Sequence, residues 1–206
     1  MLDKAIRDAL MLWATVDPIG TLALFASLTA GYQPAERKRI ATRATVIAGS
    51  ILLISIVVGE IILSGLGIRL ISLQLAGGIV LFLFALQMIF GIGTGHGSDQ
   101  PEDGHDVSVF PLAIPSMASP GAIMAVIVLT DNHTYSIPQQ AITALVLLAV
   151  LGVTWLLMLV ADPFLRIMGR TGAAVLIRVM GMILAALSVE VVMVAIGAHR
   201  WLEPGP

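Results

Sequence analysis

The chain has 206 residues, of which 58% are hydrophobic and 12% charged, and its formal net charge is −2. A soluble domain is about 45–50% apolar and about 25% charged, so this composition indicates a polytopic membrane protein. The small net charge and the absence of a large basic cluster give no indication of a nucleic-acid partner. The sequence contains no cysteine, which excludes disulfides and thiolate metal sites.

Six apolar stretches have the length of a membrane-spanning helix. The predicted spans are residues 9–28, 42–63, 71–92, 107–129, 139–160 and 173–197. The first eight residues lack a separate apolar core and a small-residue cleavage site, so we expect the first span to be retained. The predicted fold class is therefore an all-α polytopic membrane protein with six transmembrane helices, in a single membrane domain of residues 1–206.

The first span contains a break near its centre, at Asp17-Pro18, followed by Gly20. From Pro18 to Leu28 only about 16 Å of helix remains, at about 1.5 Å per residue. The hydrocarbon core is about 30 Å thick, so the residues before Asp17 must lie in the membrane as well. The sequence therefore predicts a broken helix with an acidic side chain at mid-membrane.

The fourth span is also predicted to be broken, because Pro111, Pro115 and Pro120 interrupt it. Each proline removes a backbone donor, and the freed polar groups must face protein or a wet cavity and not lipid. Asp17 and Ser119 are good N-cap residues, and the prolines after them suit the first helical position. Each break is thus predicted to start a new half-helix inside the membrane.

A half-helix N-terminus offers unpaired N–H groups and the positive end of a dipole, which suit a carboxylate. An aspartate or unwound carbonyls would receive an ammonium group, so the two breaks predict a pocket for a small zwitterion. The predicted substrate-binding residues are Asp17, Ile19, Gly20, Thr21, Ser116, Ala118, Ser119 and Gly121. The alternative is that Asp17 only caps its own half-helix and that the break serves packing.

Several landmarks recur at one offset along the chain. Asp17 and Ser119 are 102 positions apart, and so are Glu60 and Asp162. Two halves with three spans each lie in opposite orientations, which is the 3+3 inverted-repeat design of many secondary transporters. The predicted units are residues 1–95 and 107–200, joined by a polar cytoplasmic loop at residues 96–106.

Orientation is predicted from the distribution of Lys and Arg. The densest basic cluster follows the first span and consists of Arg37, Lys38, Arg39 and Arg43. We therefore expect loops 1–2, 3–4 and 5–6 to be cytoplasmic and both termini to lie outside.

Three carboxylates are candidates for proton coupling: Asp17, Glu60 and Glu190. Glu60 lies close to the end of its span, so its alternative role is a carboxylate that reaches the interface. Glu190 lies deeper, with a hydrogen-bonded structural role as its alternative.

The loop at residues 96–106 holds two histidines and four acidic residues. Their spacing matches no tight ligand motif, and a solvated loop is expected, so we predict neither a metal site nor a cofactor. All four histidines lie in loops or at span ends, and no serine has an obvious base nearby, so we do not expect an enzyme.

The sequence resembles the MarC family of inner-membrane proteins over nearly its whole length. The resemblance rests on Asp17-Pro18-Ile19-Gly20-Thr21, Gln74-Leu75-Ala76-Gly77-Gly78-Ile79, Phe110-Pro111-Leu112-Ala113-Ile114-Pro115 and Ser119-Pro120-Gly121-Ala122. It implies six spans in the cell inner membrane. The SnatA-like members of the family carry glycine and alanine, with proton coupling proposed.

The predicted function is a secondary transporter of small neutral amino acids, coupled to protons, that works by alternating access. Its partners would be a small zwitterionic substrate, protons and the lipid bilayer. The alternatives are an exporter of drugs or other small solutes, a channel, and a non-transporting membrane scaffold.

Overall fold

The computed structural model describes residues 1–91 and 106–198, and the described chain contains helices and no strand. In chain order the elements are α1 (Leu2–Val16), α2 (Pro18–Leu28), α3 (Pro34–Gly65), α4 (Leu70–Phe90), the proline segment (Ser108–Met117, a π-helical stretch), α5 (Pro120–Leu129), α6 (Ile137–Leu159) and α7 (Ala161–Ala195). Five stretches are long and apolar enough to cross a membrane, and a bent pair brings the number to six. The predicted all-α polytopic class is confirmed.

The first span consists of α1 and α2 and runs over 27 residues, Leu2–Leu28. Its start lies several residues before the predicted position near Ala9. The difference arises because Lys4 and Asp8 are both buried and pair with each other, at 2.6 Å between Lys4 Nζ and Asp8 Oδ2. Two opposite charges that neutralise each other are far less costly to bury than either one alone.

The fourth span consists of the proline segment and α5, which are bent by 52° relative to each other. Within the proline segment, Phe110 (φ −128°, ψ 126°) and Ile114 (φ −127°, ψ 128°) have extended backbones. Each of them immediately precedes a proline, whose ring disfavours the helical conformation of the residue before it. The predicted interruption of this span is therefore present and follows directly from the positions of the prolines.

The other four spans are α3, α4, α6 and the part of α7 at Ala174–Ala195. Capping boxes start two of them: the Gln33 N–H donates to Glu36 Oε2 (3.4 Å), and the Ser136 N–H donates to Gln139 Oε1 (2.9 Å). In α7 the helix is interrupted at Gly169, whose φ of 67° suits a residue without a Cβ atom.

The broken spans lie at the centre of the bundle. Within an apolar stretch of 18 residues, half (50%) of the first span is buried inside the protein, against 22% for α3 and 17% for Ala174–Ala195. The apolar core joins α1, α2, one face of α3, the proline segment, α5 and α6, and α4 packs most extensively against α7. Large apolar side chains on α3, α4 and α7 are exposed, as expected for surfaces that face lipid.

The inverted repeat, its boundaries and the orientation in the membrane stay predictions. The predicted loop at residues 96–106 lies outside the described residues apart from Asp106, and so does the last part of the second predicted unit, residues 199–200.

Candidate functional site

The break in the first span is built on Asp17, which adopts a left-handed conformation (φ 49°, ψ 70°). Aspartate tolerates this region better than most residues. Its backbone N–H ends α1 by donating to the Trp13 carbonyl (3.1 Å), and its Oδ1 accepts from the Gly20 N–H (3.0 Å). Pro18 occupies the first position of α2. The predicted N-cap is thus present: one residue ends a helix and starts the next.

The break in the fourth span is built on Ser119, which has an extended backbone (φ −70°, ψ 156°). Its Oγ accepts from the Ala122 N–H (3.0 Å), and Pro120 is the first residue of α5. The same hydroxyl donates to the backbone carbonyl of Thr15 in α1 (3.0 Å). Ser119 therefore caps its own half-helix, as predicted, and also ties the fourth span to the first.

A second hydrogen bond joins the two breaks, between Thr21 Oγ1 and Ser116 Oγ (2.9 Å). We call Thr15, Asp17, Thr21, Ser116 and Ser119 the half-helix junction. Of these residues only Ser116 is half-buried, and the others are at most 4% exposed. The tertiary structure thus brings together polar residues that lie about 100 positions apart in the sequence.

The two glycines predicted at the site have different surroundings. A Cβ atom on Gly20 would lie 2.0 Å from Asp17 Oδ2, so the capping carboxylate occupies the space that a side chain would need. A Cβ atom on Gly121 would lie 2.3 Å from Leu81 Cδ1. Gly20 therefore serves the cap, and Gly121 allows α4 to approach the start of α5 closely.

The last two predicted residues flank the breaks. Ile19 is half-buried in the first turn of α2. Ala118 is 1% exposed, and its N–H donates to the Ala113 carbonyl (2.8 Å), which closes the proline segment.

The junction combines groups that suit a zwitterion. Two half-helix starts present the positive ends of their dipoles, which favour a carboxylate, and the Asp17 carboxylate favours an ammonium group. In this conformation Thr21 and Ser116 bond to each other, and the other junction side chains bond to backbone groups. Two cavities of the described chain lie elsewhere, one of about 240 Å³ beside Glu60 and one of about 350 Å³ beside Arg178. Four of the five junction residues are at most 4% exposed, so a substrate would reach them only after a movement of helices.

The other two proton-coupling candidates lie outside the junction. Glu60 is half-buried near the end of α3, and its Oε2 accepts from the Asn132 N–H (3.0 Å). Asn132 follows α5, which extends about 15 Å from the break at about 1.5 Å per residue. Glu60 thus matches the interfacial alternative. Glu190 is exposed on α7.

Glu60, Asp131 and His133 could hold a metal ion, since their ligand atoms lie within 4.8 Å of one another. However, Glu60 caps the Asn132 N–H and Asp131 accepts from the His133 N–H (3.0 Å), so both carboxylates already have structural roles. The histidine ring is 88% exposed. The histidines at residues 96 and 105 lie outside the described residues.

The structure contains a second buried polar cluster, which the sequence analysis does not predict. Lys4 Nζ donates to Asp8 Oδ2 (2.6 Å), to Thr143 Oγ1 (2.7 Å) and to the Leu129 carbonyl (3.2 Å). The available signal was the i,i+4 spacing of two opposite charges directly before an apolar run.

At the end of α2, Arg37 Nε donates to Thr29 Oγ1 (3.0 Å), and the guanidinium lies 5.3 Å from the centre of the Phe25 ring. Arg37 also forms an ion pair with Asp162, in the first turn of α7. The far ends of both half-helices, α2 and α5, are therefore each held by a basic side chain that pairs with a carboxylate.

Comparison with known proteins agrees with this architecture. The family described as "MarC family integral membrane protein" matches residues 2–199. The chain is 34% identical to the UPF0056 inner membrane protein YhgN of Escherichia coli over 202 residues, covering 98% of this chain and 100% of that protein. It is 35% identical to a UPF0056 membrane protein of Archaeoglobus fulgidus, over 88% of this chain and 86% of that protein.

No solved structure matches the chain. The family match spans nearly the whole sequence and includes both breaks of the half-helix junction. The chain belongs to the MarC family of integral membrane proteins.

Proposed function

We propose that the chain is a secondary transporter of small neutral amino acids of the glycine and alanine class. Transport proceeds by alternating access around the half-helix junction. The observation that carries the proposal is the joining of two buried half-helix starts, through the bonds from Ser119 to Thr15 and between Thr21 and Ser116. Discontinuous helices that meet at mid-membrane are the usual substrate site of secondary transporters.

The substrate class follows from the size and charge of the junction. The half-helix N-termini receive the α-carboxylate, and the Asp17 side chain receives the α-ammonium group. The neighbouring Ala118 and Ala122 are 1% and 0% exposed, and Leu81 fills the space beside Gly121. Little room is left for a side chain on the substrate, which favours glycine and alanine over larger amino acids.

We assign proton coupling to Asp17 among the three candidate carboxylates. Asp17 is 4% exposed and belongs to the junction, whereas Glu190 is exposed and Glu60 has structural partners beyond the end of α5. An ionisable group buried at mid-membrane is expensive to keep, and such groups mark ion and substrate pathways in transporters.

The test is uptake of labelled glycine and alanine by liposomes that contain the purified protein. We expect saturable uptake that unlabelled alanine competes away and that a proton gradient stimulates. Asp17→Asn keeps an N-cap oxygen and tolerates the left-handed backbone, so it removes the charge alone. We expect it to lower uptake at least about tenfold, equivalent to about 1.4 kcal/mol.

Asp3→Asn is the matched control, because Asp3 is an exposed aspartate on the same helix. Uptake by Asp17→Asn at the rate of Asp3→Asn would refute the role of Asp17. Non-saturable flux without competition would indicate the channel alternative. Flux of unrelated solutes with no preference for amino acids would favour the exporter of other small solutes.

A further inference from the structure

The buried cluster at the start of α1 consists of Lys4, Asp8 and Thr143, which we call the N-terminal charge cluster. Their exposed fractions are 7%, 1% and 0%. Thr143 Oγ1 lies 2.6 Å from Asp8 Oδ2, so a single carboxylate oxygen receives both the ammonium and the hydroxyl group. The Lys4 ammonium also lies 4.2 Å from the centre of the Tyr135 ring. The cluster thus joins α1 to α6 and to the loop between α5 and α6.

The cluster lacks one hydrogen-bond donor. Asp8 Oδ1 is fully buried and has no hydrogen-bond partner in the described part of the chain. A buried acceptor without a partner destabilises the folded state, and more strongly when the group is charged. A donor that reaches this oxygen therefore gains a strong, charge-assisted hydrogen bond.

The position of the cluster relates it to the half-helix junction. Asp8 precedes Asp17 by nine residues on the same span, about 14 Å of helix at about 1.5 Å per residue. The Leu129 carbonyl that accepts from Lys4 ends α5, the helix that begins at the junction. The cluster therefore holds α1 and α5 together at the end of their interface that is farther from the junction.

A purely stabilising role explains this arrangement poorly. A buried ion pair contributes little net stability, because desolvation of both charges offsets their attraction, and apolar replacement is often neutral or stabilising. In addition, the partnerless oxygen makes the pair less favourable still. The combination of an ammonium, a carboxylate and a free acceptor is complementary to a zwitterion.

We propose that Lys4 and Asp8 form an entry site for the transported zwitterion, separate from the half-helix junction and opened by the substrate itself. The ammonium group of the zwitterion binds Asp8 Oδ1. The carboxylate of the zwitterion replaces Asp8 Oδ2 as the partner of the Lys4 ammonium. One internal ion pair is exchanged for two with the substrate, which frees the Lys4 ammonium from Thr143 and from the Leu129 carbonyl at the end of α5. This inference rests on the proposed function and adds a second substrate site to it.

The decisive variant is the double substitution Lys4→Met with Asp8→Leu, which removes both charges and leaves none unpaired. We expect it to fold with a melting temperature at or above that of the unchanged protein, and to take up glycine at least about tenfold more slowly. The control is Asp3→Leu with Arg7→Met, an exposed pair with the same i,i+4 spacing on the same helix. It should transport at the unchanged rate.

A labelling experiment separates opening from stability. The chain has no cysteine, so Leu12→Cys places a single thiol on α1, at a fully buried position one turn after Asp8 and outside the half-helix junction. Glycine should raise its reaction rate with a water-soluble maleimide several-fold, and this increase should disappear when Lys4→Met and Asp8→Leu are added.

Uptake by the folded double variant at the unchanged rate, or the same glycine effect on labelling in both backgrounds, would overturn the entry site and leave the proposed function intact. If the unchanged protein itself takes up neither glycine nor alanine, the proposed function fails, and the entry site fails with it. Slower uptake together with the lost glycine effect would support the entry site.

Discussion

Ser119 Oγ donates a hydrogen bond to the Thr15 carbonyl at 3.0 Å, so the break in the fourth span supplies a donor that the break in the first span removes. In a continuous helix the Thr15 carbonyl would accept from the N–H of Ile19, but the break at Asp17 places Ile19 in the next helix. The serine that caps α5 takes over this role. A polar group that one break orphans is thereby satisfied without lipid contact or water.

We predict that Ser119→Ala destabilises the protein by about 1–3 kcal/mol, because it removes an N-cap and orphans the Thr15 carbonyl at once. Thermal unfolding in detergent should show a lower midpoint. Ser27→Ala is the control, since Ser27 is exposed and donates only to the Leu24 carbonyl in its own helix. Equal midpoints for the two variants would contradict the double role of Ser119.

Gly20→Ala should impair transport by displacing Asp17. The new Cβ atom would lie 2.0 Å from Asp17 Oδ2, so the carboxylate must leave its capping position. We expect glycine uptake to fall at least about tenfold and stability to fall by about 1 kcal/mol. Gly152→Ala, in α6 with no atom within 4 Å of the new group, should leave both unchanged. A Gly20→Ala protein with unchanged uptake would contradict the need for an intact cap.

The bond between Thr21 and Ser116 predicts energetic coupling across the two breaks. Thr21→Val and Ser116→Ala, measured singly and together, should show an interaction energy of about 0.5–1.5 kcal/mol in unfolding. The control pair is Thr45→Val with Ser116→Ala, because Thr45 donates to the Ala41 carbonyl of its own helix. Strict additivity for Thr21 and Ser116 would show that the bond contributes nothing to the joining of the spans.

Asp106 lies outside the membrane spans, and its contacts at the start of the proline segment should depend on pH. The hydrogen bond from Ser108 Oγ (2.6 Å), together with the nearby Arg43 guanidinium, holds the pKa of Asp106 below its usual value. Because the pKa is lower in the folded protein than in the unfolded chain, the contact stabilises the fold at pH values above the ordinary pKa of about 3.9. This stability is lost as the pH falls through the lower, folded-state pKa.

The corresponding measurement compares the unfolding midpoints of the unchanged protein and Asp106→Asn as the pH is lowered. A small difference at neutral pH should shrink in acid, since Asp106 is partly exposed and its interactions are screened. A difference that grows with falling pH would reverse the assigned sign of the pKa shift.

The sequence by itself determined the membrane class, the approximate spans and the two breaks. The length of an apolar run and the prolines at positions 18, 111, 115 and 120 act locally, through hydration and backbone sterics. They can therefore be recognised in the sequence without knowledge of the fold. The capping roles of Asp17 and Ser119 were predicted correctly for the same reason.

Only the tertiary structure decided which polar groups meet. The bond from Ser119 to Thr15 and the one between Thr21 and Ser116 depend on how α1, α2 and the proline segment pack. Lys4 and Asp8 precede the first predicted span, and they are buried because Thr143 and the end of α5 supply partners. Whether a charge can enter the bundle depends on partners that lie more than 100 residues away, and no local pattern encodes them.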